Sequence, residues 1–424
     1  MRVRFHWWGG LVVVGVVLAI GARAASADQV AVDRTGRAFE VTPSAGDRSA
    51  SFSSVRLRSA APGRRFGPWR TVLRAGRGDR VMDAGLAADG SGVAFLQSRA
   101  RPGRAVRAVA FGARGRVARP VALSPPGGDA DFAASAVAGS GAAVVVWFRH
   151  RDDGRWRLEA SIREPRAPAF GPGEPLSGFL RRACCTSVSA AMGERGDAVV
   201  TWSSTARPSV WAALRRPGGG FRPAQRLSAA ASDAPRAVVG AGGTAAVIYS
   251  TQHVPLRGDD GLQLHRAASG SRLGGAEHVN PGGGVTIGDL AITPNGDVTV
   301  AWLDRVHGAR VHVSDAPATG PLAATAELGT DVSPRSLAVD ADDGGRTVIA
   351  WSERAGRSER ATAATRPATG APFGPPTPLG HPWRAAEPRL ARLVPGGGAL
   401  VLWKGSRYTG PTARRTALAV ARLP

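Results

Sequence analysis

The sequence predicts an all-β fold, a β-propeller of about eight four-stranded blades, with seven blades as the alternative. Three observations support this. Glycine (56 residues) and proline (31 residues) are abundant without a collagen period. Short runs of Val, Ala and Trp alternate with turn residues along the whole chain, and no helical periodicity stands out. An apolar run that ends in Trp also recurs about every fifty residues, which is typical of blades or of a solenoid.

The recurring run begins at a glycine and ends at a large apolar residue. Its copies are Gly36–Val41, Gly90–Leu96, Gly141–Trp147, Gly196–Trp202, Gly243–Tyr249, Gly296–Trp302, Gly345–Trp351 and Gly397–Trp403. The last residues of the seven later copies are 47 to 55 residues apart along the chain. Because each Trp occupies the same place in its repeat, we expect these rings to pack between neighbouring blades.

The rest of each unit supplies three further strands. A first strand precedes the glycine turn, as at Ser336–Asp340, and a third follows a polar loop, as at Ala361–Thr365. A Gly/Pro turn then leads to a fourth strand, as at Gln225–Ser228, although the last unit lacks an obvious one after Thr416 to Ala421. Four antiparallel strands in about fifty residues form one propeller blade. The glycine and proline content excludes a helical solenoid.

The N-terminus has the pattern of a signal peptide. Arg2 and Arg4 precede the apolar segment Leu11–Ala22, which is short for a membrane-spanning helix, and Ala25–Ala27 supplies the small residues of a cleavage site. The sequence therefore predicts a signal peptide at 1–27 and a single propeller domain at 28–424. We expect the protein to be secreted or associated with the cell envelope. An uncleaved N-terminal anchor is the alternative.

The formal net charge is +23, and all but one of the basic residues are arginines. The arginines are spread over the repeats instead of forming one short cluster, which argues against nucleic acid as the partner. A surface with so few acids attracts anions. The expected partners are therefore an anionic glycan, a cell-envelope polymer or a protein, bound by a monomer without a cofactor.

The strand order, the Trp-ending second strand and the turn before the fourth strand resemble the bacterial sialidase-like propellers, also called Asp-box or BNR propellers. The family motif, Ser/Thr-x-Asp-x-Gly-x-Thr-Trp, belongs on that turn. Here the turns are Pro62–Phe66, Pro217–Phe221 and Thr369–Phe373, which keep a glycine and an aromatic residue but lose the Ser and Asp. Asp153–Trp156 is a shortened form in a different loop. The resemblance implies a sialidase-like fold with degenerate Asp-boxes.

Three arginines form the predicted ligand site. Each follows a proline at the start of a first strand, in units five, seven and eight: Arg236, Arg335 and Arg389. Because first strands line the channel of a propeller, the three guanidinium groups are placed to hold a carboxylate or sulfate together. The resemblance implies the same, since sialidase-like enzymes hold the sialate carboxylate with three arginines. The alternative is that each arginine pairs with the acid just before it, at Asp233, Asp331 or Glu387.

The resemblance also implies a tyrosine nucleophile, but no catalytic residue is assigned. Tyr249 occupies a structural Trp position and is expected to be buried, whereas Tyr408 lies in a loop of the last unit. The eight histidines show no metal-ligand spacing, so no metal site is expected. Asp340–Gly344 resembles a calcium loop but has Trp351 where the loop needs a glutamate, so we interpret it as a turn.

The two cysteines, Cys184 and Cys185, are adjacent. In an exported protein such a pair is expected to form a vicinal disulfide that stiffens its loop. Together these features favour a secreted binding propeller for an anionic ligand, without obvious catalytic residues. A sialidase-like glycoside hydrolase and a structural cell-envelope protein are the alternatives.

Overall fold

A computed structural model describes residues 29–33, 35–45, 52–62, 64–98, 103–125, 128–180, 187–204, 209–228, 232–251, 261–280, 285–304, 310–329, 332–383, 385–394, 397–408 and 414–423. Every regular element in these residues is a β-strand, and the strands form eight antiparallel sheets in chain order. The prediction of an eight-bladed propeller is confirmed. The predicted signal peptide at 1–27 lies outside the described residues.

The first four blades contain four strands each. Blade 1 comprises β1 (Gln29–Val32), β2 (Ala38–Ala45), β3 (Phe52–Ala60) and β4 (Arg70–Arg74). Blade 2 comprises β5 (Asp79–Leu86), β6 (Gly92–Ser98), β7 (Ala105–Phe111) and β8 (Val121–Ala122). Blade 3 comprises β9 (Asp129–Val137), β10 (Ala143–His150), β11 (Trp156–Arg163) and β12 (Glu174–Pro175). Blade 4 comprises β13 (Val188–Met192), β14 (Ala198–Ser204), β15 (Ser209–Arg215) and β16 (Gln225–Arg226).

Blades 5 to 7 repeat this plan, and blade 8 has three strands in the part of the chain described. Blade 5 comprises β17 (Ser232–Val239), β18 (Ala245–Thr251), β19 (Gly261–Ala267) and β20 (Glu277–His278). Blade 6 comprises β21 (Val285–Ile292), β22 (Val298–Asp304), β23 (Arg310–Ala316) and β24 (Ala326–Gly329). Blade 7 comprises β25 (Val332–Ala341), β26 (Thr347–Ala355), β27 (Ser358–Arg366) and β28 (Thr377–Trp383). Blade 8 comprises β29 (Ala385–Leu393), β30 (Ala399–Tyr408) and β31 (Arg414–Leu423).

The first strands form the inner wall of the ring. Each contacts the first strand of the next blade, and β1 contacts β29, which closes the circle. Side chains reinforce this wall across the blade boundaries. Asp289 accepts a hydrogen bond from the Val339 N–H at 3.1 Å, and Asp340 accepts one from the Leu393 N–H at 2.9 Å. The inner wall therefore carries polar links between neighbouring blades as well as the backbone ladders within each blade.

The second strands carry the core. Their central residues are buried on both faces, because each blade is covered by a blade on either side. The ring positions predicted to pack between blades are 3% exposed or less: Trp147, Trp202, Tyr249, Trp302, Trp351 and Trp403. The structural interpretation of these aromatics is confirmed. It also explains why the apolar runs do not alternate with polar residues.

The turn between the first and second strands has the same geometry in all eight blades. A glycine in the left-handed region, with φ between 76° and 121°, donates its N–H to the carbonyl three residues earlier: Gly36, Gly90, Gly141, Gly196, Gly243, Gly296, Gly345 and Gly397. Other residues are strained in this conformation, so the glycine that begins each repeat is a requirement of the turn. Asp340–Gly344 enters such a turn, as predicted.

The ring has two edges, which we name by their connections. The turn rim carries the turns between strands 1 and 2 and between strands 3 and 4. The loop rim carries the loops between strands 2 and 3 and the links from one blade to the next. On the loop-rim side, several first strands contain a register shift, including those at Asp233/Arg236, Ser333/Leu337 and Pro388/Leu390. The three predicted Pro-Arg pairs lie at these shifts.

Candidate functional site

A cleft of about 570 Å³ opens on the loop rim at blade 3. It is formed by the start of β9, the end of β10, the loop after β10 and the segment after β12. We name it the blade 3 cleft; its lining residues are Gly128, Asp129, Arg149, His150, Arg151, Asp152, Asp153, Arg157 and Phe179. This volume lies within the range of sites for small molecules, and the lining is predominantly charged.

One wall of the cleft is built on a buried carboxylate. Glu159, in the middle of β11, is 2% exposed, and it accepts a hydrogen bond from Trp147 Nε1 at 3.0 Å. Its Oε1 also accepts hydrogen bonds from Arg157 Nε at 2.7 Å and Arg149 Nη1 at 3.3 Å. Since two guanidinium groups share one carboxylate, this wall keeps an excess of positive charge. The carboxylate also fixes the positions of both arginines.

Phe179 brings a third arginine to the same wall. The guanidinium carbon of Arg157 lies 4.6 Å from the centre of the Phe179 ring, and that of Arg151 lies 5.0 Å from it. The ring is held in place because the backbone of the next residue, Leu180, exchanges two hydrogen bonds with Trp156, of 3.1 and 2.8 Å. Cation–π contact orders both guanidinium groups. Three arginines therefore converge on one wall.

The facing wall is acidic. Arg104 donates to Asp129 through two nitrogens, Nε to Oδ1 at 2.8 Å and Nη2 to Oδ2 at 2.5 Å. Its Nη1 lies 2.6 Å from Asp131 Oδ1, and His150 Nε2 lies 3.2 Å from Asp131 Oδ2. The hydrogen bonds from Arg104 lower the pKa of Asp129 to about 2, so this carboxylate is ionised at neutral pH.

The two walls suit different parts of one ligand. Arginines bind carboxylate and sulfate groups with charge-assisted hydrogen bonds, and ionised carboxylates accept hydrogen bonds from hydroxyl groups. Arg151 has the most exposed side chain of the three arginines, at 49%, and its Nε lies 3.8 Å from Asp153 Oδ2, an oxygen that Arg155 binds more closely, at 2.5 Å. Arg151 is therefore the arginine best placed to contact an incoming anion.

The predicted site at Arg236, Arg335 and Arg389 is described only in part. Arg236 lies in β17 and is exposed, and its Nη1 donates to Asp289 Oδ1, in the next blade, at 3.1 Å. Its partner is thus an acid of a neighbouring blade. The side chains of Arg335 and Arg389 lie outside the described residues, so the convergence of these three arginines stays a prediction.

Of the remaining residues singled out in the sequence, the structure describes some and leaves others outside the described residues. Tyr249 is 2% exposed, as expected, and burial raises the pKa of its hydroxyl to about 12. This tyrosine lies in the core, away from the blade 3 cleft. Cys184 and Cys185 lie outside the described residues, as does the side chain of Tyr408. Their predicted disulfide and a catalytic role of Tyr408 therefore stay untested.

Sequence reasoning missed the arginine wall of the blade 3 cleft. Residues 149–157 read Arg-His-Arg-Asp-Asp-Gly-Arg-Trp-Arg, with four arginines in nine positions. This segment was interpreted only as a shortened Asp-box, and the arginines as evenly spread. This density of arginines on one hairpin is the feature of the sequence from which the site could have been predicted.

The described part of the chain was also compared with the requirements of a metal site and of a membrane span. Among the described residues, no three His, Cys, Asp or Glu side chains are grouped in a way that could hold a metal ion. In the same residues, no helix is long and apolar enough to cross a membrane. The chemistry of the blade 3 cleft is that of guanidinium, carboxylate and imidazole groups.

The fold and the cleft define the chain as a β-propeller with a charged cleft on its loop rim. No protein-family model matches the sequence, and no curated protein matches it. Solved structures are similar in fold. A Hadza microbial sialidase matches with a TM-score of 0.39 and 12% identity over 71% of this chain and 65% of the sialidase chain.

Two further structures cover more of the chain. A prolyl endopeptidase matches with a TM-score of 0.49 and 15% identity, over 93% of this chain and 56% of its own. An ulvan lyase from a new family of polysaccharide lyases matches with a TM-score of 0.41 and 10% identity, over 78% of this chain and 92% of its own. Since these TM-scores are below 0.5, the function of this chain is inferred from the cleft alone.

Proposed function

We propose that the chain is an exported propeller that binds an acidic glycan in the blade 3 cleft without cleaving it. One observation carries this proposal: Arg149, Arg151 and Arg157 converge on a single wall that Glu159 and Phe179 hold in place. A uronate or sulfate group would bind this wall, and a sugar hydroxyl would donate to Asp129 on the other. A neutral glycan would offer these arginines no anionic group to bind.

The preformed geometry supports binding more than turnover. Glu159 is buried, and both of its carboxylate oxygens already accept hydrogen bonds from the protein. Asp129, with a pKa of about 2, is unsuited as a general acid at neutral pH. Glycoside hydrolysis by a pair of carboxyl groups needs one that stays protonated. These groups instead suit an anchored binding site.

The test is the affinity of wild-type and variant protein for a uronic-acid oligosaccharide, measured by calorimetry. Arg151→Gln should weaken binding about tenfold or more, because it removes a charge-assisted contact in a partly enclosed site. Arg357→Gln, which changes an exposed arginine in the loop of blade 7, is the matched control and should have little effect. Equal losses in both variants would contradict a site at blade 3.

Two further measurements check the remaining parts of the proposal. The oligosaccharide should be recovered intact after incubation with the protein, and release of reducing ends would favour the glycoside hydrolase. Protein collected from the culture medium should begin at Asp28. Protein that remains cell-bound with an intact N-terminus would favour the anchored alternative.

A further inference from the structure

The turn rim carries an uneven distribution of charge. The turns between strands 3 and 4 of blades 1 to 5 span residues 61–69, 112–120, 164–173, 216–224 and 268–276, and contain nine arginines and one acid. The corresponding turns of blades 6 and 7, at 317–325 and 367–376, contain no charged residue. If the arginines only reflected the overall composition of the chain, they would also be expected in the turns of blades 6 and 7. The basic residues therefore form an arc along the outer edge of five consecutive blades.

The arc is exposed and its charges are not neutralised. Eight of its arginines, six of them on blades 1 to 3, are exposed and have no carboxylate partner among the described residues: Arg64, Arg65, Arg114, Arg116, Arg119, Arg166, Arg216 and Arg272. The single acid of these turns, Glu164, is bound by Arg215, a buried residue of blade 4. The guanidinium groups of the arc are consequently available to a ligand.

We propose that the part of this basic arc on blades 1 to 3, which carries six of its exposed arginines, is a second binding surface that holds an extended anionic polysaccharide. The surface is on the opposite rim from the blade 3 cleft and does not depend on it. Its charges are spread over three neighbouring blades, which fits a linear polymer with repeated sulfate or carboxylate groups. Each turn would contact a separate stretch of the polysaccharide, and the contacts would strengthen binding together.

Nucleic acid is the other linear polyanion, and the structure favours it less. Proteins that bind single strands stack bases on exposed aromatic rings. In the turns of blades 1 to 3, the aromatic rings already contact arginines: Arg58 lies 4.9 Å from the Phe66 ring and 4.4 Å from the Trp69 ring, and Arg163 lies 5.7 Å from the Phe170 ring. A polymer that needs only its charges recognised fits this surface better.

The experiment measures binding of the full chain to heparin over a series of salt concentrations. The triple variant Arg114→Gln, Arg116→Gln and Arg119→Gln removes the turn of blade 2 from the arc. We expect it to weaken binding about tenfold or more in physiological salt. The slope of log Kd against log salt should also fall by about 2 to 3, because the variant makes fewer charged contacts and so releases fewer counterions on binding.

The matched control is a triple variant of exposed arginines on the loop rim, Arg80→Gln, Arg354→Gln and Arg357→Gln, which has the same net charge. It should bind heparin nearly as well as wild type. Equal losses in the two triple variants would mean that diffuse charge binds the polymer, which would overturn the proposal. Preferential binding of single-stranded DNA of matched charge would also overturn it.

Discussion

The pair Tyr249 and His265 shows how single residues replace the usual Trp of the repeat. Tyr249 Oη lies 3.0 Å from His265 Nε2, and His265 Nδ1 lies 2.8 Å from the Gly274 carbonyl. A carbonyl only accepts, so Nδ1 carries a proton, and the Tyr249 hydroxyl also lies within hydrogen-bond distance of the Leu227 carbonyl, at 3.2 Å. Burial lowers the pKa of the His265 imidazole, because it disfavours the charged form.

This pair predicts that stability falls as the solution becomes acidic. Above about pH 6.5, the ordinary value for histidine, His265 is neutral in both the folded and the unfolded chain. Below it, the unfolded chain takes up a proton that the folded chain resists, so the free energy of unfolding decreases. Melting temperatures at pH 7.5 and 5.5 should differ more for wild type than for His265→Gln. If the change in melting temperature between the two pH values were the same for both proteins, the lowered pKa of His265 would be contradicted.

At the same scale, sequence reasoning predicted the residues with a fixed place in the repeat. It identified the eight turn glycines and the buried aromatics, because their positions follow from backbone geometry and packing. It did not identify the partners of charged side chains. For Arg236 it considered Asp233 or a ligand and did not foresee the ion pair with Asp289 of the next blade. Such contacts depend on the ring, which places distant segments side by side.

Among the elements, the third strand of blade 7 is tied to blade 6 by a buried ion pair. Arg366, the last residue of β27, donates to both carboxylate oxygens of Asp315 at 2.6 Å, and its Nη2 donates to Thr299 at 2.8 Å. The arginine side chain is 3% exposed. Arg163 and Arg215 end β11 and β15 at the equivalent position. This repeated arginine is a signal in the sequence that was not used.

Removing one partner of this pair should strongly destabilise the protein. Arg366→Ala leaves the Asp315 charge buried without its cation, which should cost about 3–5 kcal/mol of unfolding free energy. The exposed pair of Arg310 and Glu327 is the comparison, and Arg310→Ala should cost less than about 1 kcal/mol. Urea denaturation measures both.

The double variant Arg366→Met and Asp315→Leu distinguishes the effect of the two charges on stability from the effect of side-chain packing. It should recover most of the stability lost in Arg366→Ala, because two apolar side chains of similar size leave no buried charge. A double variant as unstable as Arg366→Ala would contradict the account of this contact, since the loss would then come from packing.

Over the whole molecule, the ring separates two surfaces of different character. Eight similar sheets close through their first strands, and every blade presents its turns to one rim and its loops to the other. This architecture follows from the fifty-residue period and was predictable. The positions of the cleft and the basic arc were not, since both arise where particular blades depart from the repeat. Both proposed binding surfaces therefore lie where blades depart from the repeat.

The most direct test of the proposed function is a crystal structure of the protein grown with a uronic-acid oligosaccharide. We expect the sugar in the blade 3 cleft, with its carboxylate on Arg151 and Arg149 and a hydroxyl within hydrogen-bond distance of Asp129. An empty cleft, with the sugar bound instead at the channel mouth among Arg236, Arg335 and Arg389, would contradict it.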